Sequence, residues 1–295
     1  MPNNARVLIV EDDFYARHWM EMLLRRDWRT RVVKQVGSPV DLVGALSDLD
    51  KHNRKVDVVL IDTDIPLDDS WLTDVLKKLS DFNAGQIEEH KAKKQRYTPP
   101  VLLFTGVNPN YRISNLASTP SFGGYILKDE IRYSLAWAVT FTGKGRKVIT
   151  PGVQNLFTGS NSLPKGSMIL DGRKPLPLSK LTERELEAAR LAFMFSMERH
   201  ELANELMIAE DYSYGLVGSL FEKVGLNDVL DGTVSPGELF GDHPAVKKHI
   251  DNAIKAYQQA AQSDDPNTKK KNIKIKYKET LAFHLLTLPH FDEIY

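Results

Sequence analysis

Four short apolar runs in the first half of this chain each end in a polar group, and that repeated edge constrains the fold more than any other feature. Val7-Leu8-Ile9-Val10 leads into Glu11-Asp12-Asp13, Val58-Val59-Leu60-Ile61 into Asp62, Val101-Leu102-Leu103-Phe104 into Thr105, and Tyr125-Ile126-Leu127 into Lys128. Short apolar runs with polar bounds read as buried strands. Helical spacing fills the gaps: Ala16, Met20, Leu23 and Leu24 share one face, and Leu42, Leu46 and Leu49 another, behind a Ser38-Pro39 helix start. Residues 130–141 read as the helix that closes the sheet. Alternating strands and helices give a doubly wound parallel sheet of five strands. Ligands in such sheets sit outside the carboxyl ends of the strands, so the four run ends describe one site. An aspartate among acids, a hydroxyl and a lysine is equipped to take up a phosphoryl group: a carboxylate attacks phosphorus, a hard cation and an ammonium neutralise the charge, and hydroxyl and amide donors read the product.

These residues, in this order, resemble the receiver domain of two-component response regulators, over Arg6 to about Phe141. The resemblance implies that Asp62 is the phosphoacceptor and that Glu11, Asp12, Asp62 and the backbone carbonyl of Asp64 hold Mg²⁺. It also implies that Thr105 binds the phosphoryl oxygens, that Lys128 pairs with them, and that Tyr125 is the switch aromatic beside Thr105. The implied partner is a histidine kinase or phosphotransfer protein, with a homodimer formed through the receiver. The chain departs from the pattern at Asp129, where a cis proline is common after the lysine, and in the long segment between Asp62 and Thr105. Gln86 to Arg96 there, with Lys91, Lys93 and Lys94, reads as an extended, solvated helix end or loop.

Asp62-Thr63-Asp64 also fits the strand-end motif of haloacid-dehalogenase phosphatases. That chemistry needs a further acidic pair after the lysine, and only Asp129 and Glu130 follow Lys128 up to residue 145. A regulator, not an enzyme, is the expectation. With no cysteine, disulfides and thiolate chemistry are excluded. No apolar run approaches a membrane span and no signal-peptide pattern opens the chain, so the expected location is the cytoplasm, without membrane contact.

The 295 residues suggest about two domains. The spacing gives a receiver over 1–141, a Gly/Pro/Ser/Thr-rich linker over 142–178, a helical output module over 179–232 and a C-terminal extension over 233–295. Near the end of the linker, Asp171-Gly172 carries a tight-hairpin signal. The output module opens on Thr182 and Glu185, a capping box. Helices are expected to Phe195, over Glu198–Met207, and from Asp211 to Val224, ended by Gly225. With Leu181-Thr182-Glu183-Arg184-Glu185 and Glu222-Lys223-Val224-Gly225-Leu226, this succession resembles the helix-turn-helix output domain of LuxR/NarL-type regulators. The resemblance implies DNA binding and transcription control.

Its third helix would set Tyr212, Ser213, Tyr214 and Gly215 against the bases, yet none of these is basic. Ser179 to Gly232 holds five basic against eleven acidic residues, an excess of six negative charges. Phosphate neutralisation drives DNA affinity, so the isolated module is expected not to bind duplex DNA, and a regulator working through protein contact is the competing reading. In the extension, His243 to Ala261 reads as an amphipathic helix, with His243 and His249 at the surface. Ile273, Ile275 and Tyr277 alternate with Lys274, Lys276 and Lys278 after Lys269-Lys270-Lys271, which reads as an edge strand with lysine guards.

Overall fold

The computed structural model describes residues 4–67, 70–159, 162–173, 181–241, 244–262 and 269–294. The four apolar runs form β1 (Ala5–Val10), β3 (Val58–Asp62), β4 (Val101–Gly106) and β5 (Phe122–Leu127), with β2 (Thr30–Val36) at the outer edge. Val7 to Val10 and Val58 to Ile61 are fully buried, as a central parallel sheet covered on both faces requires. The first five strands pair in parallel in the order β2-β1-β3-β4-β5. Asp62 lies opposite Thr105 in that register.

Crossover helices return the chain between parallel strands. In α1 (Phe14–Arg26), Met20, Leu23 and Leu24 are buried and the Asp13 carboxylate caps the N-terminus by accepting from the Ala16 amide. Ser38 accepts from the Val40 amide and opens a 3₁₀ turn that leads into α2 (Leu42–Lys51), where Leu42, Leu46 and Leu49 face inward. The long segment after Asp62 becomes α3 (Trp71–Ala92), which carries the helix through most of the stretch from Gln86. A single turn, α4 (Tyr111–Ser114), precedes β5.

The closing helix is broken. One turn, α5 (Lys128–Ile131), gives way to a 3₁₀ turn at Arg132–Ser134 and then to α6 (Leu135–Gly143). Arg132 takes a φ of 43°, unusual for a residue with a side chain. Leu135 to Thr142 are all buried, the mark of a helix enclosed on every side.

The sheet continues past β5 to eight strands. β6 (Val148–Ile149) and β7 (Met168–Asp171) add in parallel, and β8 (His290–Glu293) pairs antiparallel with β7. The segment over 142–178 is therefore not a linker in its described part. Its glycines and prolines mark turns between short buried strands whose few apolar residues, Val148, Ile149, Met168 and Leu170, are too sparse to stand out. Nor does Asp171-Gly172 close a hairpin, because the antiparallel neighbour of β7 comes from the chain's far end. Glycine is needed at 172 for another reason: a Cβ there would lie 2.3 Å from the Ile131 carbonyl oxygen.

The chain divides into one unit of residues 1–174 with 289–295 and a second of 175–288. These bounds differ from 141, 178 and 232 because β6 to β8 belong to the sheet, and because most of the expected extension folds with the second unit. That unit is helical: α7 (Glu183–Ala189) with a π-helical turn at Arg190–Met194, α8 (Arg199–Glu205), α9 (Glu210–Lys223), α10 (Leu226–Leu230), α11 (Pro236–Phe240), α12 (Pro244–Gln262) and α13 (Lys269–Leu286). Both halves of the Thr182–Glu185 capping box form, and Gly225 ends α9 with a φ of 74°. The Phe193 and Phe221 rings meet at 4.8 Å in a core with Leu202, Val217 and Leu220. Val246, Ile250 and Ile254 are buried along α12; His243 and the His249 side chain lie outside the described parts.

The lysine-rich tail corrects an expectation: residues 269–286 are helical, not an edge strand. Alternation over six residues was the strand signal. It is overridden by the run that follows, where Leu281, Ala282, Phe283, Leu285 and Leu286 are buried and helix propagates cooperatively through its neighbours. The side chains of the lysines from 269 to 276 lie outside the described ones. Lys278 sets its ammonium 4.5 Å from the centre of the Phe221 ring, so it is a packing residue.

Candidate functional site

Glu11, Asp62, Thr105 and Lys128 come together at the carboxyl edge of the sheet because each stands at or just past the end of a neighbouring strand. Asp62 is 2 % exposed and Glu11 and Thr105 are each 1 % exposed. The Lys128 ammonium bridges the two acids, 2.9 Å from Glu11 Oε2 and 3.0 Å from Asp62 Oδ1. Exposed Asp12 completes a set, Glu11, Asp12 and Asp62, each offering one carboxylate oxygen within 4.8 Å of the other two. Three carboxylates against one ammonium leave a negative excess, and all-oxygen donors of this kind suit a hard cation. Asp13 caps α1 and so stands outside the cluster, while Arg17 donates to the Glu11 and Asp12 carbonyls and ties the loop down.

Burial pushes the Glu11 carboxyl up to about 7, against the hydrogen bond from Lys128 and with the help of the Asp62 charge. Burial likewise lifts Asp62 above the ordinary carboxylate range, and Lys128 opposes it. The same burial works against the Lys128 ammonium, but its bonds to Glu11 and Asp62 prevail and hold its pKa above the usual value. A cation entering this cluster would satisfy carboxylates that otherwise repel one another in a place of low dielectric.

Asp64 is exposed, and its carboxylate accepts a hydrogen bond from the Val107 amide, which joins the loops after β3 and β4. Tyr125 is fully buried. Its hydroxyl donates to the Asn108 carbonyl and lies 3.2 Å from the Thr63 hydroxyl. Thr63 in turn donates to the Thr105 carbonyl at 3.0 Å. Sequence reasoning passed over Thr63 as a functional residue, since its hydroxyl links Thr105 to Tyr125 only across three strands. Gly106 makes room there, because a Cβ would sit 2.5 Å from the Thr63 hydroxyl.

Of the two acids after the lysine, Glu130 turns elsewhere. Glu130, 4 % exposed, meets Arg173 Nη1 at 2.8 Å and accepts from the Gly152 amide at 2.7 Å, while its carbonyl accepts from the Gly172 amide. It is committed to holding α5 against the end of β7 and is not free to serve as one member of the second acidic pair of a phosphatase.

In the second unit, Tyr212 and Tyr214 are 61 % and 59 % exposed on α9, and Gly215 is exposed with them. Ser213 corrects the expected surface: it is fully buried, its hydroxyl donating to the Arg199 and Glu210 carbonyls at 3.1 and 2.6 Å. The arginines and the lysine of α7, α8 and α9 are engaged. Lys223 pairs with Glu185, Arg199 pairs with Glu279 at 2.9 Å, and Arg184 donates to the Leu206 carbonyl.

No protein-family model matches the chain, and no curated protein matches it. Several solved structures do. The response regulator ChrA of a heme-sensing two-component system is 22 % identical, with 76 % of this chain and 91 % of that one covered at a TM-score of 0.35. The RcsB response regulator of Salmonella typhimurium is 18 % identical over 85 % of this chain and 99 % of its own, at 0.39. An RcsB–DNA complex is 19 % identical over 84 % and 98 %, also at 0.39. Among the described residues, no helix is long and apolar enough to cross a membrane.

Proposed function

We propose that this chain is a response regulator that accepts a phosphoryl group at Asp62. The observation that carries the reading is the Lys128 bridge between Glu11 and Asp62 beside a cluster of three carboxylates. Mg²⁺ held by Glu11, Asp12, Asp62 and the Asp64 carbonyl would supply charge neutralisation at the phosphoryl oxygens. The chain's own residues do the rest. An Asp62 carboxylate oxygen bonds to phosphorus as the donor's phosphorus–nitrogen bond breaks, and the leaving imidazole of a histidine kinase or phosphotransfer protein keeps the electron pair. Lys128 then turns from the free carboxylate to the phosphoryl oxygens, and the Thr105 hydroxyl donates to one of them. Because Thr105, Thr63 and Tyr125 are linked, movement of Thr105 is felt at the loop carrying Asn108, and self-association of the regulator follows from that face.

The output is read as the second unit, acting in the cytoplasm through transcription control or through a protein partner. The specific observation favouring protein contact is α9, whose exposed face carries tyrosines and acids while nearby cations are paired within the unit.

The test is incubation of the full chain with acetyl phosphate and Mg²⁺. An acid-stable, base-labile adduct is expected, absent from Asp62→Asn and strongly reduced in Lys128→Ala and Asp12→Ala. Equal labelling of Asp62→Asn would refute the assignment.

A further inference from the structure

Lys128 is carried by a turn that cannot hold its place unaided. α5 has four residues, closed by the Arg132 amide donating to the Lys128 carbonyl, and the φ of 43° at Arg132 breaks it from α6. One helical turn fixes several dihedrals for a single hydrogen bond and is unstable alone. Its position therefore depends on what packs around it.

The strands beyond β5 grip this turn on both sides of the lysine. Before it, the Leu127 amide donates to the buried Thr150 hydroxyl at 2.9 Å. After it, the buried Glu130 carboxylate accepts from the Gly152 amide at 2.7 Å and meets Arg173 Nη1 at 2.8 Å, and the Glu130 carbonyl accepts from the Gly172 amide at 2.8 Å. Asp171, buried at the end of β7, aims the guanidinium by accepting from the Arg173 amide and Nε, both at 3.0 Å, and from Nη2 at 3.2 Å. The fit is close as well as charged. A Cβ at 172 would lie 2.3 Å from the Ile131 carbonyl oxygen, and one at 152 would lie 2.7 Å from Leu127 Cδ1 and 3.0 Å from Glu130 Oε1. Thr150 and Gly152 follow β6, and Asp171 to Arg173 end β7.

Resting on the reading of Asp62 as the phosphoacceptor, we propose that Glu130 and Arg173 are positioning residues for Lys128. Their clamp fixes the backbone of α5 where the ammonium reaches Glu11 at 2.9 Å and Asp62 at 3.0 Å. A lysine stem is flexible, so its ammonium is placed no better than the backbone that carries it. Misplacing a reacting-site group by about 1 Å can cost about a hundredfold in rate. Removal of the Arg173 charge leaves Glu130 a buried carboxylate without its cation, a costly state that is relieved by movement toward water. The turn and Lys128 move with it. The added strands β6 and β7 thereby set how efficiently Asp62 takes up a phosphoryl group.

Two measurements on the full chain test this: the rate of labelling by acetyl phosphate with Mg²⁺, and the reactivity of Lys128 toward acetic anhydride, read by mass spectrometry. Arg173→Gln is expected to slow labelling roughly tenfold. Gly172→Ala, which crowds Ile131 without touching a charge, should do the same. In both variants Lys128 should become about twofold or more reactive, because an ammonium freed from its carboxylates gives up its proton more readily. Arg173→Lys keeps a cation beside Glu130 and should restore most of the rate. In a Lys128→Ala background Arg173→Gln should have no further effect, since the clamp acts only through the lysine. Mg²⁺ affinity, followed by tryptophan fluorescence, should not fall, because Glu11, Asp12 and Asp62 stand outside α5. A slowing that persists without Lys128, a fall in Mg²⁺ affinity in step with the rate, or unchanged rate and Lys128 reactivity in both variants would each overturn the proposal. A parent chain that takes no label at Asp62 would instead refute the phosphoacceptor reading, and the Lys128 reactivities would still decide whether the clamp holds the ammonium.

Discussion

Asp57 shows what one buried contact does for this sheet. Its carboxylate accepts from the Arg6 amide and from Arg6 Nε, both at 2.8 Å, and from Arg6 Nη2 at 2.7 Å, which pins the start of β1 to the entry of β3. Burial opposes ionisation, but the Arg6 bonds outweigh it and hold the Asp57 pKa below the ordinary value of 3.8. A depressed folded-state pKa contributes stability that is present above the unfolded pKa and lost as pH falls through the folded one. The expected outcome is that Asp57→Asn costs about 1 kcal/mol at neutral pH, the pair being one-third exposed and partly screened. Urea unfolding should show that difference shrinking below pH 4 and vanishing at the acid end. At the site itself, Thr63→Val removes the hydroxyl between Thr105 and Tyr125. A loss of about 1 kcal/mol is expected from the broken bond, with phosphorylation of Asp62 still observed, because Thr63 lies outside the cluster of charges.

Helix α13 is the element where local pattern and outcome part most clearly. Ile275 sits inside a helix of 18 residues, so Ile275→Pro should remove a backbone hydrogen bond and destabilise the second unit by about 3 kcal/mol. Circular dichroism should record a loss of helix signal. An edge strand would accept proline with little change, and that result would contradict the helix. The opposite case is α7, whose start was legible residue by residue: Thr182 and Glu185, three positions apart, satisfy each other's orphan donors without help from elsewhere. Thr182→Ala is expected to cost about 1 kcal/mol in thermal or urea unfolding.

For the whole molecule, the return of the chain as β8 means that neither the sheet nor the helical unit ends where the composition changes. Deleting residues 289–295 should expose the edge of β7, lower the unfolding midpoint of the sheet unit and promote aggregation, which light scattering would detect. The second unit's charge argues at the same scale. The full chain is expected to show no measurable affinity for duplex DNA at physiological salt in its unphosphorylated form, by mobility shift or anisotropy, since α9 presents acids and tyrosines and Lys223 and Arg199 beside it are paired. Sequence-selective binding would restore the transcription reading.

The sequence by itself determined what is local or strictly periodic: four buried strands of a five-stranded sheet, the helices after Asp13 and Ser38, the helix caps, and the convergence of Glu11, Asp62, Thr105 and Lys128 at one edge. Parallel sheets put strand ends together whatever the details, so residues at run ends could be placed before their distances were known. Other features depended on partners distant in the chain. Val148-Ile149 and Met168 to Asp171 are too short to announce themselves, and only pairing with β5 and with His290–Glu293 makes them strands. The inward turn of Ser213, the Glu130–Arg173 pair, the Thr63 bridge and the lysine-rich helix were decided by tertiary structure for the same reason. Each trades a weak local preference for burial or a hydrogen bond that exists only once the remote groups have met.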